Sequence, residues 1–219
     1  MNPSQQRAWD ALHVKYVIEV PRGERRTSVS PAAEVDWAAE FGRSAPLYVE
    51  VGSGDGTAIT ALAQRFPEAN LIGFEVFVPT LASTLSKLER AGVENVRMLL
   101  ADAEQGLEYL FAPGSLSELW TFFPDPWHKK KHHKRRLVNP RFAASVATAL
   151  APGGIWRLAT DWEDYADWMR EVLAGEPRLA PDLGGELSSP RWEPRPVTRF
   201  EQRAITAGRR IQDLTYVRI

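Results

Sequence analysis

Glu50, Glu75, Asp102 and Asp125 are the residues of this 219-residue sequence best suited to binding or orienting a charged ligand. Three glycines, Gly52, Gly54 and Gly56, lie between the first two in a G-x-G-x-G pattern directly after an apolar run. Glycine lets the chain turn tightly and a ligand approach the backbone, and a helix opening there favours negative charge. The G-x-G-x-x-G spacing of a pyrophosphate-binding dinucleotide site is absent, and the turn holds no Lys or Arg for phosphate. Glu75 stands 19 residues after Gly56, where a carboxylate suits the two hydroxyls of a ribose. Asp102 closes the next apolar run, placed to accept from an adenine amino group. Glu50 precedes the glycines, and a cationic partner would favour its ionised form. Taken singly, each acid is a solvated carboxylate or a helix cap. Taken together, they suit a ligand with a ribose, an adenine and a positive centre better than NAD, ATP or GTP.

Asp125 sits in Phe122-Phe123-Pro124-Asp125-Pro126-Trp127. The two prolines restrict the backbone around the acid, so its carboxylate is held rather than searching. Trp127 offers a face on which a purine stacks, worth roughly 1–3 kcal/mol per base. A fixed carboxylate beside such a ring accepts hydrogen bonds from the N1–H and amino group of guanine. A Pro-rich turn with Trp127 in the core is the plainer alternative. Six of the 27 Lys and Arg residues then follow within the eight positions from Lys129 to Arg136. Such a run is often only a solvated loop, but beside a base pocket it suits phosphate contacts and salt-dependent binding. His128, His132 and His133 have no carboxylate at ligand spacing, so the expectation is that no metal is bound. Asp161 could cap a following helix.

These residues need elements to position them. Apolar runs at 47–51, 70–74, 96–100, 118–123 and 155–159 alternate with amphipathic segments at 58–66, 79–91, 104–110, 141–150 and 162–173. That alternation predicts βαβ units and a parallel sheet, whose ligands bind beyond the carboxyl ends of the strands. A short helix is expected at 32–43, a loop-rich connection at 175–197, a helix at 198–207 and a last strand at 214–219. Residues 1–30 show no periodic apolar face and several basic residues, and read as a flexible basic arm outside the core; residues 31–219 read as a single domain. The chain has no cysteine, which excludes disulfides, thiolate-ligated metals and cysteine-dependent C5 methylation of pyrimidines. No apolar run approaches the ~20 residues needed to span a bilayer, and charges interrupt the N-terminal residues, so no membrane association and a cytoplasmic location are expected. The net charge of −1 is uninformative about a nucleic-acid partner.

Phe122–Lys129 with its basic tail resembles the signature of the bacterial tRNA (guanine-N7-)-methyltransferases, the TrmB family. Val49–Gly54, Gly73–Glu75, Ala101–Ala103, Ala159–Trp162 and Arg195–Glu201 match in the family's order, from about residue 47 onward. The resemblance implies an α/β, Rossmann-like class I methyltransferase fold with a mostly parallel seven-stranded sheet flanked by helices on both faces. It implies transfer of a methyl group from S-adenosylmethionine to N7 of a guanine in the tRNA variable loop. Glu50, Gly52, Gly54, Glu75, Asp102 and Asp125 would then hold the cofactor, with Asp125 also the catalytic residue. Lys129, Lys131, His132, His133, Lys134, Arg135, Arg136, Asp161, Thr198, Arg199, Phe200 and Glu201 would meet tRNA, and the protein would be a monomer or homodimer. Two other readings remain at this point: methylation of an exocyclic amine in nucleic acid or protein, and a non-catalytic RNA-binding subunit on the same fold.

Overall fold

In a computed structural model of the chain, residues 1–182 and 189–219 are described. They divide into two compact units, one of residues 1–112 with 194–196, the other of residues 113–193 and 197–219.

In the first unit, helix α1 (Pro3–Tyr16) and the short α2 (Trp37–Phe41) precede β1 (Leu47–Val51), α3 (Thr57–Arg65), β2 (Asn70–Glu75), α4 (Val78–Ala91), β3 (Val96–Leu100) and α5 (Ala103–Tyr109). The strands lie in the order β3-β2-β1, all parallel, with Val51 opposite Phe74 and Glu75 opposite Leu100. This in-step pairing brings the three carboxyl ends, and the residues that follow them, to one edge. Buried Val49, Leu71, Ile72, Phe74, Met98 and Leu99 form the sheet's share of the core, with Ile59, Leu62, Leu81, Leu85 and Leu88 from α3 and α4. Strands covered on both faces are near-continuous apolar runs rather than alternating ones, which is why they stand out in the sequence.

The N-terminal segment departs from the expectation of an arm outside the core. Asn2 and Gln5 cap α1 reciprocally, and Pro3 sits in its first turn, a favourable start. The helix docks on α4 largely by polar contacts: the Gln5 side-chain amide donates to the Pro79 carbonyl (2.9 Å), and the Tyr16 hydroxyl donates to Glu89 (2.9 Å) and to the Val93 carbonyl (3.1 Å). Lys15 pairs with the same Glu89 at 2.6 Å. Beyond the helix, the Ile18 amide donates to the Met98 carbonyl (2.9 Å) and the Asp102 amide to the Thr27 carbonyl (2.6 Å). Only Ala8 and Tyr16 of α1 are buried, so there is no apolar stripe for a periodicity search to detect.

In the second unit, β4 (Leu116–Phe122) leads through the Asp125 loop and a 3₁₀ helix (Lys130–Arg135) into α6 (Pro140–Ala149), β5 (Leu150–Thr160), α7 (Glu163–Ala174), β6 (Leu179–Pro181), α8 (Arg199–Thr206) and β7 (Gln212–Arg218). Its strand order is β4-β5-β7-β6. β4 and β5 are parallel, whereas β7 runs antiparallel to both β5 and β6. Among the described residues the strands therefore number seven, mostly parallel but mixed. β5 begins five residues earlier than expected because a register shift against β4 absorbs the Pro152-Gly153-Gly154 stretch. β6 was missed inside the loop-rich connection: three residues ending in proline give no pattern. Part of that connection, residues 183–188, lies outside the described residues. No described helix is long and apolar enough to cross a membrane.

Tyr16 is fully buried, so Tyr16→Ala is expected to lower stability by about 3–5 kcal/mol, the range for deleting a buried aromatic. Urea denaturation measures this; an arm outside the core would leave the unfolding free energy within about 0.5 kcal/mol of wild type.

Candidate active site

The first unit gathers acids around the glycine turn. Gly52, Gly54 and Gly56 all have positive φ, at 79°, 54° and 78°, a conformation glycine adopts without the Cβ penalty. They differ in what surrounds them. A Cβ on Gly56 would meet the Thr84 side chain at 2.5 Å, whereas one on Gly52 would meet nothing within 4 Å. Gly56 is thus a packing glycine under α4, and Gly52 faces open space at the carboxyl end of β1. The Thr84 hydroxyl donates to the Gly54 carbonyl (3.0 Å) and fixes the turn from α4. Lys87, also on α4, pairs with Asp55 at 2.9 Å, so the turn's remaining acid is already neutralised.

Glu75 accepts from the Gly54 amide with one carboxylate oxygen (3.0 Å) and from the Val76 and Phe77 amides with the other (2.7 and 2.9 Å). It ties the glycine turn to the end of β2 and remains part-exposed. Asp102 caps α5, accepting from the Gln105 amide at 3.2 Å through one oxygen, and is exposed. Glu50 is different. It is 3% exposed, and its Oε2 has no hydrogen-bond partner among the described residues, nor has the hydroxyl of nearby Ser53. Burial pushes the Glu50 carboxyl up to about 7, and the charges of Asp55 and Glu75 add to the rise. An unpartnered buried oxygen costs about 1–3 kcal/mol or more, so it invites a ligand that donates hydrogen bonds or carries positive charge.

In the second unit, the loop after β4 is held in an uncommon shape. Phe123 and Trp127 both have positive φ, 52° and 49°, and among the described residues they are the non-glycine residues that do so. Bulky residues there cost of order 1–3 kcal/mol each and persist only where surroundings impose the conformation. The strained pair brackets Pro124-Asp125-Pro126, which leaves Asp125 exposed and presented between two fixed points. The Phe123 amide donates to the Ala159 carbonyl on β5 (2.8 Å). Asp125, Pro126, Trp127, His128, Lys129 and His132 line an open cavity of about 330 Å³. That volume accommodates a small planar group.

The basic run divides by the three-residue period of its 3₁₀ helix, in which side chains at i and i+3 eclipse. His132 meets the Trp127 ring edge-on at 5.8 Å, and the Arg135 guanidinium lies 5.0 Å from the same ring. His133 and Arg136 turn toward Asp164 on α7. Lys131 and Lys134 are exposed, as are Lys129 and Lys130. Arg136 departs from the expectation of a tRNA contact: it is 2% exposed, lies over the Tyr165 and Trp168 rings, and donates through Nε to the Pro126 carbonyl (3.0 Å). No surface remains on it for a phosphate. Asp161 pairs with Arg209 at 2.7 Å rather than capping α7. Thr198 caps α8, and Glu201, also expected to meet tRNA, is buried against Arg191 (2.9 Å). Arg199 and Phe200 between them are exposed.

A methyltransferase family model, Methyltransf_4, described as "Putative methyltransferase", matches residues 44–214. A tRNA (guanine-N(7)-)-methyltransferase of Cutibacterium acnes is 57% identical over the whole of this chain and 80% of its own length. One from a Nocardioides species is 49% identical, covering 99% of this chain and 83% of that protein. The chain belongs to the tRNA (guanine-N(7)-)-methyltransferase family. Among solved structures, TrmN from Thermus thermophilus aligns with a TM-score of 0.56 at 16% identity, over 80% of this chain and 45% of that one. The antibiotic-resistance methyltransferase Kmr aligns at 0.57 and 18%, over 92% and 99%. These likenesses concern the fold, which is that of class I methyltransferases.

Within this tRNA (guanine-N(7)-)-methyltransferase family member, the structure brings Glu50, Gly52, Gly54, Glu75 and Asp102 to the strand ends of one unit. In the other it brings Asp125 to the strand end of β4, beside the basic run. Sequence reasoning missed Ser53, Thr84, Arg209 and the strain at Phe123 and Trp127. Ser53 was within reach, since it sits inside the glycine pattern. Arg209 becomes visible only once β7 brings the chain back beside β5.

Glu50 yields a pH prediction. Its folded pKa lies above the ordinary 4.5, so the folded state binds the proton more tightly. The associated stability is complete below about pH 4.5 and is lost as pH rises through about 7. Glu50→Gln is therefore expected to match wild type near pH 4.5 and to exceed it by roughly 2–3 kcal/mol at pH 8.5. Urea unfolding across that range tests it, and equal slopes for the two proteins would refute the burial argument.

Proposed function

We propose that this chain transfers a methyl group from S-adenosylmethionine to N7 of a guanine in the variable loop of tRNA, in the cytoplasm. The observation that carries the reading is the Asp125 loop: a carboxylate held at a strand end between two strained aromatics, with an open cavity and exposed lysines beside it. Family membership supplies the reaction class. On the cofactor side, the unpartnered Glu50 oxygen and the open face of Gly52 fit a cationic nucleoside. Glu75 and Asp102 each keep a part-exposed or exposed carboxylate for hydroxyl and amino groups. S-adenosylmethionine, when bound, supplies a methyl group on a positively charged sulfur.

The residues of the chain need do little chemistry beyond positioning. Guanine N7 carries a free lone pair and no proton, so no strong base or covalent nucleophile is required. Asp125 accepts from the N1–H and amino group of the base and sets its orientation, the main source of rate in such a transfer. As the N7 lone pair forms its bond to the methyl carbon, the sulfur–methyl bond would break with its electron pair returning to sulfur, and a neutral thioether would leave. The positive charge would pass to the purine, where the fixed Asp125 carboxylate stabilises it without reorganising. Trp127 supports the base from its face. Lys129, Lys131, Lys134 and Arg135 meet phosphates, His132 and His133 flank them, and Asp161 with Thr198, Arg199 and Phe200 completes the tRNA side, with buried Glu201 bracing α8 through Arg191.

Asp125→Asn is expected to lower kcat by about 100-fold or more while changing cofactor Kd by less than about threefold. Rate measurements with unmodified tRNA and calorimetry with the cofactor separate the two, and equal losses would count against the assigned role. Digestion of tRNA methylated with labelled cofactor should yield 7-methylguanosine. Label on an exocyclic amine would point to another acceptor, and cofactor binding without transfer to a non-catalytic subunit.

A further inference from the structure

The strained loop raises the question of what holds it. At the Phe123 end the answer is backbone: its amide is bound to Ala159 on β5. At the Trp127 end the backbone offers little, because Pro126 has no N–H and presents only its carbonyl. That carbonyl accepts from Arg136 Nε at 3.0 Å. Arg136 is itself fixed on every side, with its guanidinium 4.8 Å from the Tyr165 ring and 5.6 Å from the Trp168 ring, and Nη2 bonded to the Asp164 carboxylate. His133 Nε2 lies 3.2 Å from the same Nη2. Asp164 has a side chain 62% exposed, and the Arg136 partner holds its carboxyl below the ordinary range.

We infer that Arg136 is a positioning residue for methyl transfer: it clamps the Pro126 carbonyl to the first turn of α7 and so holds Asp125 and Trp127 in their productive geometry, rather than contacting tRNA. The inference rests on the role proposed for Asp125. The chemistry favours arginine specifically. A planar guanidinium serves the carbonyl through Nε and the carboxylate through Nη2 at once, while lying flat on aromatic rings. Lysine keeps the charge but has one point of donation, so Arg136→Lys separates the clamp from simple electrostatics.

Arg136→Lys is expected to lower kcat by 10-fold or more. The KM for tRNA and the cofactor Kd should stay within about threefold of wild type, and the dependence of log Kd for tRNA on log salt should be unchanged. A residue contacting phosphate would behave differently, since its loss weakens binding and reduces that slope by about one. Asp164→Asn removes the outer partner at an exposed position and should show the same pattern with a smaller loss of kcat, about 3-fold. It provides the test should Arg136→Lys fail to fold. The inference is overturned if both variants keep kcat within twofold of wild type, or if the loss appears in tRNA KM with a shallower salt slope. Asp125→Asn, assayed alongside, keeps the two claims apart. If it retains full kcat, the role of Asp125 fails; if it loses kcat while Arg136→Lys does not, only the clamp fails.

Discussion

Parallel strands that pair in step must end together, and this constraint underlies the rest of the molecule. In the first unit the pairing of Val51 with Phe74 and of Glu75 with Leu100 leaves no freedom over where the following residues emerge. Whatever the sequence places just after an apolar run is delivered to one edge, which is why Glu50, the glycine turn, Glu75 and Asp102 collect there without any contact that draws acids together. Mutual repulsion would in fact disperse them. The cost appears at Glu50, where burial and neighbouring negative charge raise the carboxyl to about 7. A fold optimised for stability alone would place an apolar residue there. Under the function proposed above, binding of a cationic ligand offsets that cost.

The second unit meets a different requirement by a different device. Asp125 is exposed and yet flanked by a constrained backbone, two properties that ordinarily conflict, since exposed loops are mobile. The solution is to constrain the backbone instead of the side chain. Two prolines remove conformations, and Phe123 and Trp127 are forced into the left-handed region at either side. Asp125 then needs few partners of its own to be well placed. The strain is sustained by contacts outside the loop, namely the Ala159 carbonyl at one end and buried Arg136 at the other.

Legibility in the sequence followed physical contrast. β1 to β5 were readable because buried parallel strands are predominantly apolar runs, and the strand-end acids were readable once those strands were placed. α1 was not, because its docking on α4 runs through Gln5, Lys15 and Tyr16 rather than through an apolar stripe. β6 was too short to carry a pattern, and α2 shrank from the expected 32–43 to Trp37–Phe41 because Asp36 caps it late. Within the site, residue types announced Asp125 and Trp127, but nothing in a one-dimensional string announced that two aromatics adopt positive φ. The pairing of Asp161 with Arg209 depends on residues 48 apart in sequence and was equally invisible.

The basic run shows most clearly how composition misleads when geometry is unknown. Eight positions of nearly uniform charge read as one electrostatic patch. Wound as a 3₁₀ helix, they separate into faces three residues apart. His132 and Arg135 turn to the Trp127 ring, His133 and Arg136 to Asp164, and Lys131 and Lys134 to solvent. An α-helix, with 3.6 residues per turn, would have smeared these assignments around its circumference. The tighter winding lets one short segment brace the aromatic ring, bond the Pro126 carbonyl behind it and leave its lysines exposed. Charge alone is thus a poor measure of what this segment contributes: its most buried cation is the one best placed to govern the geometry of Asp125.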